Sequence, residues 1–347
     1  MKKAICTALL ICFSAMLGFA QTDLQPAATV NLVKTEVITV KQYRAEVERT
    51  EKAAGRTLNE KQRRDVLDVM INEKLVLQAA ERDKITISDN EITQQINQLK
   101  TQMVQVIQRQ PTDAEFATAI RNETGLEMPA FRDQVRRQLV MQKYLMSKKQ
   151  STIENVKVPT DADILNAYNL TKAQLVRPDT VRFSMIMVPF GADAAAKTKA
   201  KEQADKLVKE IGNNASRFDE VVLRGQAPNS GYQAGDVGYI LRNMEFAQRL
   251  GQDFINTAFS LKQGEVSKLM EGQMGYQIIK ITETYAMKSL ELDDIFQPGS
   301  RMTVRDYIGN SLLQERQMEA LQQATQELVA ELRAGKTFQI LERNLTW

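Results

Sequence analysis

VRFSMIMV, residues 181–188, and GYQIIKI, residues 275–281, are the two stretches on which the reading of the fold turns. The first is a strand-like run of apolar side chains, and the second supplies Ile278 and Ile281 to the expected core. Between them, residues 192–211 form a lysine-rich helical run, and glycines punctuate QAGDVGYI (233–240) and LKQGEVSKLMEGQMGYQIIKIT (261–282). A small α+β domain results. Its expected core holds Phe183, Ile186, Val188, Leu207, Phe218, Val237, Tyr239, Phe254, Phe259, Val266, Ile278 and Ile281.

On either side of this domain the hydrophobic period changes to that of helices. Upstream, VNLVKTEVITV (30–40) reads as a strand or extended lead-in, followed by a short helix that stops near Gly55. Val66, Leu67, Met70, Ile71, Leu75, Leu77 and Ala80 recur on one helical face. Ser88 with Glu91 forms a capping box that opens a helix toward Gln110, and Thr160 with Asp163 forms another before Ile164 and Tyr168. A further stripe, Phe131, Val135, Leu139 and Leu145, lies between them. Downstream, Ile308, Leu312, Leu321, Ala324, Leu328 and Leu332 mark a helix that ends before Gly335, and TFQILERN is a short extended candidate. Each outer segment is an incomplete amphipathic set, so the expectation is an α+β protein with a bipartite helical module. In it, segments 21–175 and 287–347 pack together, with the domain at 176–286 inserted between them.

Lys2 and Lys3 precede an apolar run from Ala4 to Ala20, with the small residues Gly18 and Ala20 at its end, so residues 1–20 read as an export signal peptide. No later stretch is long and apolar enough to span a bilayer, and no stable membrane insertion is expected after cleavage. Cys6 and Cys12 lie inside the leader, which leaves the mature chain without a disulfide or thiol ligand. The 347 residues contain no histidine, which excludes imidazole acid–base chemistry and His-containing zinc sites. Loss of Lys2 and Lys3 lowers the formal charge from +3 to +1, which offers no electrostatic reason for a nucleic-acid partner. The chain lacks a phosphate-binding glycine loop, and no cofactor, metal or ATP is called for. Asp219 and Glu220 are adjacent, a spacing that points them apart on a helix and argues against a paired-carboxylate hydrolase.

The segments VRFSMIMV (181–188), AGDVGYI (234–240), DFINTAFSLKQGEVSKL (253–269) and GYQIIKI (275–281) resemble the SurA- and PrsA-like family of periplasmic chaperones and parvulin prolyl isomerases. The resemblance extends over essentially the whole mature chain. It implies an N-terminal chaperone module completed by a C-terminal helix, with one parvulin-like domain between. The family carries imidazoles in an S-H-I-L first strand and a G-Y-H-I-I last strand. Here those positions are Met185 and Gln277. Its acidic or cysteine position falls near Gln226 or Ala227, and its small hydroxyl residue at Met274. Positions that cradle the substrate proline match Val237, Leu250 and Phe254, which stay apolar. These three residues either line a pocket or fill the core, and Met185 and Met274 are either adaptable peptide contacts or packing.

The resemblance implies a periplasmic or otherwise extracytoplasmic chaperone for unfolded or partly folded secreted and outer-membrane polypeptides, able to form a homodimer, with a weak or inactive isomerase domain. An active peptidylprolyl isomerase and a structural adaptor for one dedicated partner are the alternatives. In the helical module, Val66, Met70, Leu75, Phe131, Leu139, Leu321 and Leu328 are expected in the core. Phe116, Met128 and Met141 are open between client contact and helix interface.

Overall fold

A computed structural model describes residues 24–107, 109–212, 214–227 and 229–345. The leader at 1–20, with Cys6 and Cys12, lies outside the described residues. In chain order the elements begin with β1 (Pro26–Asn31), β2 (Thr35–Thr39), α1 (Val40–Ala54), α2 (Glu60–Arg82), α3 (Asp89–Ile107), α4 (Asp113–Thr124), α5 (Met128–Glu154) and α6 (Asp161–Thr171). They continue through β3 (Val176–Arg177), β4 (Thr180–Pro189), α7 (Ala194–Ile211), α8 (Ala215–Gly225) and β5 (Gln233–Leu241). Next come α9 (Met244–Leu250), α10 (Gln252–Ser260), β6 (Met270–Glu271), β7 (Gly275–Tyr285), β8 (Lys288–Ser289), α11 (Val304–Ala334) and β9 (Phe338–Ile340). Two compact units emerge, one built from the chain up to Lys157 together with the chain from Glu315, the other from Val158–Gln314.

The first unit is closed by its first and last described strands. Its sheet has the order β2-β1-β9, with Ala28 paired to Ile340 and Val30 to Phe338 across about three hundred residues of sequence. Ala27, Ala28, Val30 and Ile38 pack on Leu67, Ile71 and Leu75 of α2, all fully buried. Tyr144 of α5 and Leu328 of α11 form a neighbouring cluster with Val76, Ala79 and Ala80. Polar contacts follow the same seam: Arg333 donates to Asp68 and Asn72 at 2.7 Å each, Lys149 pairs with Glu331 at 2.6 Å, and Arg64 pairs with Glu342.

The run at 30–40 is not one strand, because residues 32–34 turn the chain into a β1–β2 hairpin. Gln78, only 1% exposed, explains how that turn is held. Its side-chain oxygen accepts from the backbone N–H groups of Leu32, Val33 and Lys34 at 3.0, 2.9 and 3.4 Å, and its amide donates to Glu36 at 3.1 Å. A buried polar side chain thus supplies the acceptor that the tight turn cannot find in its own backbone.

The capping boxes read from sequence form at Ser88 with Glu91 and at Thr160 with Asp163, and similar boxes start α1, α2 and α4. Helix periodicity reports which residues share a face, not whether another element covers it. Accordingly Leu321 is 40% exposed rather than core, while Phe116 is buried edge-on against Phe131 at 6.3 Å rather than presented to a client. Met128 and Met141 are half-buried against helix neighbours.

In the second unit, a four-stranded antiparallel sheet of order β5-β4-β7-β6 separates two apolar layers. One face packs Ile186, Val188, Tyr276 and Ile278 against α7 and α8. The other packs Val181, Phe183, Ile279 and Ile281 against α10. Val237, expected in the core, is 49% exposed. It lies on the edge strand β5, where the pairing with β4 shifts register between Phe183 and Ser184 and Gly238 adopts φ 92°. The shift breaks the alternation that would have turned it inward. Asp219 ion-pairs with the buried Lys280, whereas Glu220 is exposed.

Replacing Gln78 by Leu leaves the turn donors without their acceptor and is expected to lower stability by about 2–4 kcal/mol, read from the urea midpoint. Acid should also act on the first unit. The Arg109 guanidinium and the Thr112 backbone and hydroxyl hold the Glu115 carboxyl at about 2, below its ordinary 4.5, and Arg82 with Lys148 brings Asp83 from 3.8 to about 2. Depressed folded values mean that the stability these groups add is present above pH 4.5 and lost as pH falls toward 2. The acid unfolding curve of Glu115→Gln should therefore be shallower than that of the unaltered chain over this window, as followed by helical circular dichroism.

Candidate functional site

The site begins with the ladder between β4 and β7. Directly paired residues project to the same face of an antiparallel sheet, so Met185 opposite Ile279 and Met187 opposite Gln277 share the face that packs on α10. β6 extends the row, with Met270 opposite Gln277, and the neutral amide of Gln277 therefore sits between two thioether side chains. The β6–β7 hairpin is closed by the Gly272 N–H donating to the Gly275 carbonyl at 2.9 Å. Only glycine serves at 275, since a Cβ there would lie 2.3 Å from the Val188 carbonyl oxygen on β4. At Gly272 the constraint is softer: a Cβ would come within 2.6 Å of the Gln277 amide nitrogen, the movable end of a side chain.

The opposite wall is the junction of α9 and α10. Gly251 turns the chain between them at φ 94°, a left-handed conformation that glycine adopts without a Cβ penalty. Phe254, 6% exposed, then enters the core edge-on to Phe183, with ring centroids 5.4 Å apart. Between the walls lies a cleft of ≈ 680 Å³ lined by Leu250, Gly251, Gln252, Asp253, Phe254, Thr257, Met270, Glu271, Gly272, Gln273 and Gln277. Its floor is apolar and its rim carries amides and two carboxylates. Among the described residues no group of acidic side chains is arranged to hold a metal ion. Such a site can desolvate an apolar ring and offer hydrogen bonds to a peptide.

Of the six residues singled out in the sequence, the cleft unites Leu250, Phe254 and Gln277. Met185 is half-buried on the same sheet face, packed against the cluster that contains Phe254. Val237 lies on the edge strand and Met274, 70% exposed, at the hairpin tip; neither lines the cleft. Gln226 and Ala227 are exposed just beyond α8. Sequence reasoning missed Gly251, Gln252, Asp253, Thr257, Met270, Glu271, Gly272 and Gln273. The paired glycines of EGQMG carried a usable signal for the hairpin, but nothing in the chain order announces that it faces the start of α10.

Comparison with known proteins adds two family matches. A SurA-like N-terminal domain matches residues 1–145 and a PPIC-type PPIASE domain matches residues 168–285. A foldase protein PrsA of Clostridium botulinum (strain Loch Maree) is 26% identical over 311 residues, covering 88% of this chain and 80% of its own length. A chaperone SurA of Saccharophagus degradans is 26% identical over 294 residues, covering 82% of this chain and 64% of its own. A solved structure of a SurA-like chaperone from Campylobacter jejuni aligns over 91% of this chain and 100% of its own, at 14% identity and a TM-score of 0.40.

Phe254→Ala is expected to destabilise the chain by about 3–5 kcal/mol in urea unfolding, because it opens a cavity against Phe183. Gly272→Ala should cost less than about 1 kcal/mol, since the nearest atoms its Cβ meets belong to the flexible end of Gln277.

Proposed function

We propose the following function for this chain, which belongs to the SurA/PrsA-like foldase–chaperone family and carries a PPIC-type PPIase domain: it holds unfolded or partly folded exported polypeptides, and its PPIase domain binds their proline-containing segments without efficient turnover. Clients are secreted or outer-membrane precursors met outside the cytoplasm after removal of residues 1–20. Among the described residues no helix is long and apolar enough to cross a membrane. The domain boundaries that suit this reading are 176–286 for the parvulin-like part, with 21–175 and 287–347 assembling the chaperone part.

One observation carries the proposal: the cleft pairs an apolar floor, made by Leu250, Phe254 and Met270, with the amide of Gln277. Rotation about a peptide bond faces a barrier of about 18–20 kcal/mol, which an isomerase lowers by desolvating and twisting the amide without covalent chemistry. The apolar floor supplies the desolvation. The resemblance assigns imidazoles to the positions of Met185 and Gln277, and the lost polar network would have steadied the twisted amide. The same preserved floor favours the second reading, an isomerase that retains turnover.

Purified residues 21–347 should accelerate cis-to-trans conversion of short Xaa-Pro peptides about 10- to 100-fold less than a histidine-bearing relative, the cost of one or two lost hydrogen bonds in the transition state. They should also suppress aggregation of several unrelated unfolded secreted proteins. Turnover equal to the relative's would establish the isomerase reading instead, and failure to protect any client at excess would overturn the chaperone reading.

A further inference from the structure

The cleft has a charge character that its apolar floor does not require. Asp253, in the first turn of α10, and Glu271, at the end of β6, line it from opposite walls. Neither lysine nor arginine is among its lining residues. The remaining polar lining consists of neutral groups, the amides of Gln252, Gln273 and Gln277 and the hydroxyl of Thr257. At ≈ 680 Å³ the cleft is of a size that takes a ligand of several groups, so a proline ring on the Phe254 floor leaves room for the residues beside it.

Resting on the reading that this cleft binds proline-containing segments, we propose that it selects them by charge: it prefers an apolar residue, proline above all, flanked by lysine or arginine, and Asp253 and Glu271 are its specificity-determining residues. The two carboxylates differ in readiness. Asp253 is exposed and makes no ion pair among the described residues, whereas Glu271 is held by Lys197, which reaches it from α7 at 2.7 Å. Lys197 in that same position also lies over the Phe190 ring at 4.5 Å, a contact that does not depend on Glu271. The partial positive charge at the start of α10 offsets part of the field of Asp253. That charge is spread over backbone N–H groups, which suit the carbonyl oxygens of a peptide, while a cationic side chain finds acceptors only in the carboxylates and amides. Both acids are solvated, so their effect is a modest and salt-sensitive preference between clients rather than the main source of affinity.

The test uses residues 21–347 and three fluorescein-labelled hexapeptides with a central Phe-Pro, flanked on both sides by Lys, Gln or Glu, followed by anisotropy. The expected order of affinity is Lys, Gln, Glu, with about a three- to tenfold separation between Lys and Glu peptides at low ionic strength that shrinks in ~0.5 M salt. In the Asp253→Asn/Glu271→Gln variant the Lys-to-Glu affinity ratio falls toward one. In Lys197→Ala it rises, because Glu271 is released. Leu250→Ala weakens all three peptides, which places them in the cleft. Binding of the Gln peptide with no charge preference, or a Lys preference that survives in the double variant, overturns the selectivity while leaving the binding site intact. No binding of any peptide, or binding indifferent to Leu250→Ala, overturns the site reading and the selectivity with it.

Discussion

Antiparallel pairing of β4 with β7, running from Thr180 opposite Tyr285 to Pro189 opposite Gly275, is the constraint on which the second unit depends. The two strands bury side chains on both faces, so a single ladder closes two apolar layers at once. It also sets the row Met187, Gln277, Met270, and with it the amide that faces Phe254 across the cleft. The ladder tolerates no side chain at Gly275, where Val188 comes too close. A slip of one residue would exchange the two faces and remove Gln277 from the cleft altogether.

A different economy governs the first unit. Its first strand has partners at both sides, one next to it in sequence and one at the far end of the chain, and α11 supplies Leu328 to the core that α2 and α5 share. Neither outer segment covers its own apolar face, and each completes the core of the other, which is why both must be present. The ion pairs of Arg333, Lys149 and Arg64 along that seam are partly exposed, so they set register more than they add stability.

The absence of histidine shapes what the cleft can do. A neutral glutamine in a half-buried site keeps hydrogen-bonding capacity at every accessible pH, but brings no positive charge to a twisted amide. An apolar floor with neutral amides and solvated carboxylates is suited to holding peptides of many sequences, because area burial makes few demands on order while the rim adds a small bias.

Much was legible in the sequence. Strand 181–188 announced itself by its apolar run, the lysine-rich helix by its period, and the starts of α3 and α6 by Ser88 with Glu91 and Thr160 with Asp163, because these are local patterns enforced by backbone geometry. The division into outer helical segments and a mixed middle followed from the change of period. Leu250, Phe254 and Gln277 were named through a resemblance, and their meeting in one cleft required the fold. Tertiary structure alone decided the rest: that Gln78 pins a hairpin 45 residues away, that β9 completes the first sheet, that Val237 sits on an uncovered edge while Phe116 is enclosed, and that Asp253 and Glu271 face one cleft. The physical reason is that periodicity and capping depend on neighbours a few residues apart, whereas burial and the meeting of side chains depend on which distant element arrives to cover them.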